Sequence, residues 1–219
     1  MIATLPLLLL AAASTAVEWL AEGVSHAQRG DYLLAEPAFA QACRLEPALP
    51  DACFFLGRAL YFLDRYEDAL APLRRSLPAA GGGGAARVHT AIAQSLEALG
   101  RASEAEASFA QALAAGPRLA EPRVKYGLFL LRQGRTTEAV APLRDALQID
   151  AAQPEGCLEL GRALYQLDRL GEALPHLRRA AELNPKSAQA HALLAKVYRR
   201  LGRVPEADRH LAAARSLNP

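Results

Sequence analysis

Cysteine and histidine are the side chains of this sequence best suited to metal or redox chemistry, and it has three of the first and five of the second. They occur in pairs at matching places of the chain, Cys53 with His89 and Cys157 with His191. A zinc site needs three or four ligands that converge on one point, and pairs on separate segments do not supply them. Ordinary packing is the preferred interpretation, and we predict neither a metal nor any other cofactor.

The odd number of cysteines argues against a disulfide framework. Cys43 and Cys53 flank one turn between predicted repeats and could bridge across it if the protein is exported. Unpaired thiols are the preferred interpretation, because buried cysteine commonly serves as a small apolar side chain and the geometry that a disulfide needs cannot be checked from a sequence.

Sequence motifs of known catalytic chemistry are missing. The chain contains neither a Gly-x-Ser-x-Gly nucleophile turn nor a His-Glu-x-x-His zinc motif. The glycine run 81–84 lacks the Lys and Ser or Thr that a phosphate-binding loop requires, and we interpret it as a flexible insertion. A formal charge of +2 is too small to indicate nucleic-acid binding. We therefore predict that the protein is not an enzyme and does not bind nucleic acid.

The elements that would position any site recur along the chain. Alanine recurs at steps of 34 or 36 residues, and a small residue lies twelve positions before each of these alanines. The alanines are Ala35, Ala69, Ala105, Ala139, Ala173 and Ala207. Each period carries two apolar stripes of helical spacing with a break between them, which predicts a helix, a turn and a second helix. The breaks are occupied by Gly30, Asp64, Gly100, Gly134, Asp168 and Gly202, residues that we expect to be left-handed.

The first period matches a known repeat in detail. Its key residues, in order, are Trp19, Gly23, Tyr32, Ala35, Phe39, Ala42 and Pro47. In these residues and their spacing the chain resembles the tetratricopeptide repeat (TPR) family, whose units are about 34 residues long. The predicted repeats are 16–49, 50–83, 86–119, 120–153, 154–187 and 188–219. The resemblance implies an all-α fold, a right-handed α-solenoid of six helix-turn-helix hairpins.

A longer repetition is superimposed on the first. The sequence from Cys53 to Arg65 recurs with few changes from Cys157 to Arg169. Duplication of a block of three hairpins is the simplest explanation. The alternative is that the second and fifth repeats need similar surfaces.

Residues 1–15 form an apolar segment that ends in small residues, which is typical of a secretory signal peptide. Cleavage is plausible after Ala13 or Ala16, although no Lys or Arg precedes Arg29. A helix that caps the first hairpin and a membrane anchor are the alternatives, but Pro6 and the short length disfavour a stable membrane span. We therefore predict a periplasmic or secreted protein, with a cytoplasmic location as the alternative.

The resemblance also implies where a partner would bind, because such solenoids bind through a concave surface lined by the first helices of the repeats. Carried over to this sequence, the predicted binding residues are Phe54, Arg58, Tyr61, Phe62, Gln94, Leu128, Leu131, Arg132, Arg162, Tyr165, Gln166, Lys196, Arg199 and Arg200. Glu155, Leu158, Lys186 and Gln189 are expected on the same surface of the last two repeats. This surface is aromatic in the second repeat, aliphatic in the fourth and basic in the last two.

We therefore predict a non-enzymatic interaction scaffold, an adaptor that binds a protein or peptide with an anionic portion, in a bacterial envelope or secretion assembly if the signal is real. The competing interpretation of the individual residues is that the cations are only solvated and the aromatic rings pack against the next repeat. A second hypothesis is structural. It holds that the protein forms a homo-oligomer through its last hairpin, where Val204, Leu211, Ala214 and Leu217 form an apolar stripe.

Overall fold

The computed structural model describes residues 15–49 and 51–217. Over these residues the chain forms twelve α-helices and one short 3-10 turn at Leu77–Ala79, without a strand. The helices are α1 (Ala16–Gln28), α2 (Tyr32–Leu45), α3 (Ala52–Phe62), α4 (Tyr66–Ser76), α5 (Gly82–Ala98), α6 (Ala102–Ala115), α7 (Ala120–Arg132), α8 (Thr136–Ile149), α9 (Pro154–Gln166), α10 (Leu170–Leu183), α11 (Ala188–Arg200) and α12 (Val204–Leu217). The all-α prediction is confirmed for the described part, and the bounds of the six repeats stay a prediction.

The start of α1 is specified by its own residues. The hydroxyl of Thr15 accepts a hydrogen bond from the backbone N–H of Glu18, and the Glu18 carboxylate accepts one from the backbone N–H of Thr15. This reciprocal capping satisfies two backbone donors at the helix N-terminus. The rest of the predicted signal segment, residues 1–14, lies outside the described residues. Within 15–49 and 51–217, no helix combines the length and the apolar character needed to span a membrane.

Small residues bring the two helices of a hairpin close together. A Cβ atom added at Gly57 would lie 2.4 Å from the Cγ of Leu73, and one added at Gly161 would lie 2.5 Å from the Cγ of Leu177. Real Cβ atoms do not approach another carbon so closely, so the leucine side chains occupy the space that glycine leaves free. The predicted role of the small residues is confirmed at these contacts.

Left-handed residues end the odd-numbered helices at the six places that the sequence predicted. Asp168 is one of them, with a φ of 61°. The backbone N–H of the next residue, Arg169, donates to the carbonyl of Leu164 at 2.9 Å and so satisfies an acceptor at the end of α9. The chain then reverses direction and begins the second helix of the hairpin.

A recurring arginine precedes five of the even-numbered helices. Arg135 is representative, because its guanidinium lies 2.7 Å from the carboxylate of Glu138 one turn later and 2.7 Å from that of Glu106 on α6. The equivalent pairs are Arg65 with Asp68, Arg101 with Glu104, Arg169 with Glu172 and Arg203 with Glu206. Such exposed pairs contribute at most about 1 kcal/mol each, so they orient helix starts more than they stabilise the fold.

The chain divides into two compact units, Met1–Ala105 and Glu106–Pro219. In the first unit, each helix from α1 to α4 packs on the helix that follows it. Its largest fully buried side chains are Phe39, Leu73 and Leu96. In the second unit, each helix from α7 to α11 packs on the next. Its largest fully buried side chains are Phe109, Val124, Phe129, Leu130, Leu143, Leu160, Leu164, Leu177 and Leu194.

The preference for unpaired thiols at Cys43 and Cys53 was wrong. The two residues form a disulfide bond, and their Cα atoms are 4.7 Å apart. Cys43 lies near the C-terminus of α2 and Cys53 near the N-terminus of α3, and the short connection folds these two ends together. The sequence could not show this contact, because it depends on the geometry of the turn. Cys157 is free and buried, and burial raises the pKa of its thiol, which disfavours the reactive thiolate.

The interpretation of the glycine run 81–84 as a flexible insertion was also wrong. Gly81 is the N-cap of α5 in an extended conformation, and the helix begins at Gly82. Val88, Ile92 and Leu96 of the same helix are buried in the first unit. This tertiary packing outweighs the low helix propensity of glycine in the first turn.

Candidate partner-binding surfaces

Four of the predicted binding residues form one cluster in the first unit. The guanidinium of Arg58 donates a hydrogen bond to the side-chain oxygen of Gln94 at 2.9 Å. The same guanidinium lies 4.9 Å from the ring centroid of Phe62 and 5.5 Å from that of Tyr61. We call Arg58, Tyr61, Phe62 and Gln94 the aromatic cluster. Its cation–π contacts hold the rings in place on the exposed side of α3 and α5.

Part of the aromatic surface packs against side chains of its own predicted repeat and of the preceding one, and not against the next repeat as the competing interpretation expected. The ring of Phe62 stacks on that of Tyr32 with centroids 4.4 Å apart, and the ring of Tyr61 lies edge-on to that of Tyr66 at 5.4 Å. Phe62 is nevertheless 46% exposed, so part of its ring remains accessible to solvent. The aromatic cluster is therefore both a packing contact and an exposed apolar surface.

Phe54 lies apart from this cluster beside a small cavity of about 130 Å³. The guanidinium of Arg87 lies 5.3 Å from the centroid of Phe54 and 3.0 Å from the carboxylate of Asp51. These three side chains line the cavity, and the other lining residues are Leu49, Ser76, Ala79, Ala80, Gly81, Gly84 and Val88.

In the second unit, the predicted aliphatic positions lie on α7. Leu128 and Leu131 are half-buried and Arg132 is exposed, whereas Phe129 and Leu130 between them are buried in the core. Leu128 and Leu131 therefore form a partly exposed apolar surface.

The most concentrated group of predicted residues lines a pocket of about 310 Å³ between α9 and α11. Arg162, Tyr165 and Gln166 lie on α9, and Lys196 lies on α11. The remaining lining residues are Gln189, Ala192 and Leu193. We call this the basic pocket. Its two cations and the phenol of Tyr165 suit a carboxylate or another anionic group.

The two predicted arginines at the end of α11, Arg199 and Arg200, do not line the basic pocket. Arg199 lies 3.2 Å from the carboxylate of Asp208 on α12. Arg200 lies 2.6 Å from the carboxylate of Asp168 and 5.6 Å from the ring centroid of Tyr165. Both guanidinium groups are thus paired within the protein, and the sequence could not distinguish them from the cations of the pocket.

Another pocket, of about 430 Å³, lies beside the basic pocket and shares Gln189 with it. It is lined by Pro154, Glu155, Leu158 and Glu159 of α9, by Ala180 and Asn184, and by Ser187 and Gln189. We call this the acidic pocket. The predicted surface positions Glu155, Leu158 and Gln189 are present, but sequence reasoning missed Glu159, Asn184 and Ser187. An acidic residue directly between Leu158 and Leu160 was the available signal for Glu159.

Glu159 is unusual in this region because its side chain is ionisable and yet only 5% exposed. Its Oε2 lies 3.0 Å from Nη1 of Arg162. Burial raises the pKa of the Glu159 carboxyl, and the nearby guanidinium of Arg162 opposes that rise. Arg162 thus takes part in both pockets, as a lining cation of one and the counter-ion of a carboxylate in the other.

Among residues 15–49 and 51–217, no three His, Cys, Asp or Glu side chains are placed to hold a metal ion. His191 and His210 contact each other, with 3.0 Å between their Nδ1 atoms, in a stack that includes Tyr198.

Two family models match the sequence. The model described as the cilia and flagella-associated protein 70 middle TPR-like domain matches residues 89–217, which is more than half of the chain. A tetratricopeptide repeat model matches residues 20–85. No curated protein matches the sequence.

Solved structures share the fold at low sequence identity. Pseudomonas aeruginosa PilF is 19% identical with a TM-score of 0.78, and the match covers 93% of this chain and 92% of that one. YrrB, described as a TPR protein with an unusual peptide-binding site, is 21% identical with a TM-score of 0.62 and coverages of 83% and 93%. A chain of the APC/C hetero-tetramer Cut9–Hcn1 is 16% identical with a TM-score of 0.77, but this chain spans only 40% of its length. The predicted α-solenoid fold class is confirmed, and these identities extend no further than the fold.

Proposed function

The chain belongs to the tetratricopeptide repeat family, and on that premise we propose that it is an adaptor that holds a segment of a partner protein. The repeat is generally a non-catalytic interaction module, so the fold indicates a protein–protein interaction scaffold. In our proposal the bound segment lies against the first helices of the hairpins, and an acidic group of the segment enters the basic pocket.

The basic pocket is the observation that carries this proposal. Lys196 makes no ion pair with any residue of the described ranges, whereas Arg199 and Arg200 next to it are already paired. A carboxylate placed between Lys196 and Arg162 would form charge-assisted hydrogen bonds with both. Tyr165 and Leu193 add apolar surface beside the charges, a combination that favours side-chain anchors of a protein partner.

The aromatic cluster supports an apolar contribution from the same partner. Exposed aromatic side chains with neighbouring arginines are the residue types that most often act as binding anchors. Phe62 is the most exposed of these rings and is already held by Tyr32 and Arg58, so binding would cost little side-chain entropy.

The proposal is tested by charge reversal at Lys196. Capture from an extract of the cells that make the protein is compared between the wild type and Lys196→Glu. We expect at least a roughly tenfold loss of the captured partner, because an attraction for its acidic group becomes a repulsion. Arg162 is unsuitable for this test, since its reversal would also place a second carboxylate against Glu159.

Arg118→Glu is the matched control, because Arg118 is exposed in the turn before α7 and changes the net charge equally. It is expected to capture the partner as the wild type does. Equal capture by the wild type, the control and Lys196→Glu would show that the basic pocket is only a solvated surface. Circular dichroism of the three proteins establishes that each remains helical.

We also propose export to an oxidising compartment. The apolar segment 1–15 and the disulfide between Cys43 and Cys53 support it, because disulfides persist mainly outside the cytosol. N-terminal sequencing of the protein from its native source is expected to begin after Ala13 or Ala16. A mature chain that still begins at Met1 would contradict the signal peptide.

Self-association through the last hairpin is the second candidate function. Val204 is 52% exposed and Leu217 is 37% exposed on α12, and Leu201 before it is 39% exposed. Leu211 is half-buried and Ala214 is buried, so the predicted stripe is narrower than the sequence suggested. Sedimentation velocity over a range of concentrations tests this candidate, and a monomer at every concentration would eliminate it.

A further inference from the structure

Glu159 is a buried carboxylate with one oxygen, Oε2, that accepts no hydrogen bond from the described residues. Its Oε2 is fully buried and receives no hydrogen bond from the described part of the chain, although Arg162 lies 3.0 Å away. A buried carboxylate that is paired in charge but lacks hydrogen bonds costs stability. Groups of this kind are uncommon in folded proteins and often mark a place where a ligand binds.

We infer that the acidic pocket receives a cationic side chain of the partner, a Lys or Arg that binds Glu159 while an acidic group of the same segment binds the basic pocket. This inference rests on the proposed function and adds the charge pattern of the bound segment. The recognised sequence would carry opposite charges close together and not an acidic stretch alone.

The layout of α9 and α11 supports two adjacent subsites of opposite charge. Glu159 lies one helical turn before Arg162 on α9, and Gln189 of α11 lines both pockets. The amide of Gln189 can donate to an anion on one side and accept from a cation on the other. A segment that crosses from the acidic pocket to the basic pocket would therefore meet the carboxylate of Glu159, then the amide of Gln189. It would then meet the two cations, Arg162 and Lys196.

Glu155 does not provide the same opportunity, although it lines the acidic pocket. It is exposed, and its carboxylate lies 2.7 Å from Nζ of Lys125. Its charge is thus already compensated in solvent, where an ion pair contributes little. Burial raises the pKa of Glu159 although Arg162 and Arg132 oppose the rise, and a bound cation would lower this pKa and favour the carboxylate.

Two small ions distinguish the pockets without knowledge of the partner. Butylammonium mimics a lysine side chain, and butyrate mimics an acidic one. With methyl-labelled leucines, butylammonium is expected to shift the NMR signal of Leu158 in the acidic pocket, and butyrate that of Leu193 in the basic pocket. In Glu159→Gln the affinity for butylammonium should fall about tenfold or more, because a charge-assisted hydrogen bond is lost. The response of Leu193 to butyrate should remain.

Two further variants keep the result interpretable. Glu182→Gln removes an exposed carboxylate of α10 outside the acidic pocket and should leave the Leu158 response unchanged. Asn184→Lys places a cation on the exposed wall of the pocket and should weaken butylammonium binding, even if Glu159→Gln does not fold.

The outcomes separate this inference from the proposed function. A Leu158 signal that does not respond to butylammonium would overturn the cation subsite. A Leu158 response that is as large in Glu159→Gln and Asn184→Lys as in the wild type would also overturn it. A butyrate response at Leu193 in that case would leave the basic pocket and the proposed function intact. Loss of the butyrate response alone would count against the basic pocket and not against the cation subsite.

Discussion

Gly161 and Leu177 show how one residue determines the distance between two helices. The isobutyl group of Leu177 fills the space above the Gly161 Cα, as Leu73 does above Gly57 and Leu143 above Gly127. The backbone of α9 can therefore lie directly on the side chains of α10. This contact recurs in several hairpins. The effect of one added methyl group at Gly161 therefore indicates how tightly the other hairpins are packed as well.

Gly161→Ala is expected to lower the free energy of unfolding by up to about 2 kcal/mol. Alanine gains about 1 kcal/mol in helix propensity, but overpacking against Leu177 costs about 1–3 kcal/mol. Urea unfolding monitored by circular dichroism measures the difference.

Gly171→Ala is the matched control on α10. A Cβ atom there meets no heavy atom within 4 Å, so only the gain in helix propensity remains. We expect a stabilisation of up to about 1 kcal/mol. If both variants change stability in the same direction, the close contact between Gly161 and Leu177 is not what limits the packing.

At the scale of elements, the connection between α2 and α3 differs from the others because it is cross-linked. Ala42, Cys43, Ala52 and Cys53 are all buried there. The partly buried Trp19 of α1 packs against this group, so the disulfide lies within the packing between the first two hairpins.

Reduction of the Cys43–Cys53 bond is expected to lower the free energy of unfolding by about 2–3 kcal/mol, the loop-closure value for ten residues. Urea unfolding with and without a phosphine reductant measures the effect. The variant Cys43→Ala with Cys53→Ala should be insensitive to the reductant. Sensitivity that persists in this variant would assign the effect to something other than the disulfide.

The helices were predictable from the sequence because their signals are local and repeated. Gly100 and Asp168 lie where a helix must end in a left-handed residue, and both conformations are found there. The glycine run 81–84 was misread because the packing of α5 determines where that helix begins. The arginine that precedes α8 and its equivalents repeat at the same period as the alanines, but their pairing depends on side-chain positions.

The candidate binding surface was less predictable than the helices. Lys196 and Arg199 are three residues apart on one helix and look equivalent in the sequence, yet only Lys196 lines the basic pocket. Glu159 was missed because an acidic residue in a first helix is usually exposed. Both distinctions depend on which neighbours the fold places beside each side chain.

At the scale of the whole molecule, protonation of half-buried histidines connects stability to pH. Burial lowers the pKa values of His89 in the first unit and of His176 and His210 in the second. For His210, the neighbouring His191, Arg209 and Arg178 lower the pKa further, while Glu182 and the ring of Tyr198 also lie close to it. The folded chain therefore resists protonation at these positions.

The melting temperature is expected to fall as the pH is lowered from 7.5 to 5.5. The unfolded chain takes up protons near the ordinary histidine pKa of about 6.5, whereas the folded histidines take them up at lower pH. Their contribution is complete above that pKa and is lost as the pH falls towards the folded values. Glu159 acts in the opposite direction, because its raised pKa favours protonation of the folded chain.

Thermal unfolding across this pH range tests the prediction, with His210→Asn beside the wild type. Asparagine keeps a side-chain hydrogen-bonding group but does not titrate, so the decrease should be smaller in the variant. A melting temperature that is constant or rises between pH 7.5 and 5.5 in the wild type would contradict the assignment.

The free thiol of Cys157 has a consequence for protein engineering. It is the counterpart of Cys53 in the duplicated segment, and the residue that corresponds to Cys43 is Leu147, which packs against the Cys157 cluster from the end of α8. A Leu147→Cys substitution would copy the natural cross-link into the second unit. The variant would have one disulfide bond in each unit. Addition of a chemical reductant would then loosen the packing around the basic pocket and the acidic pocket.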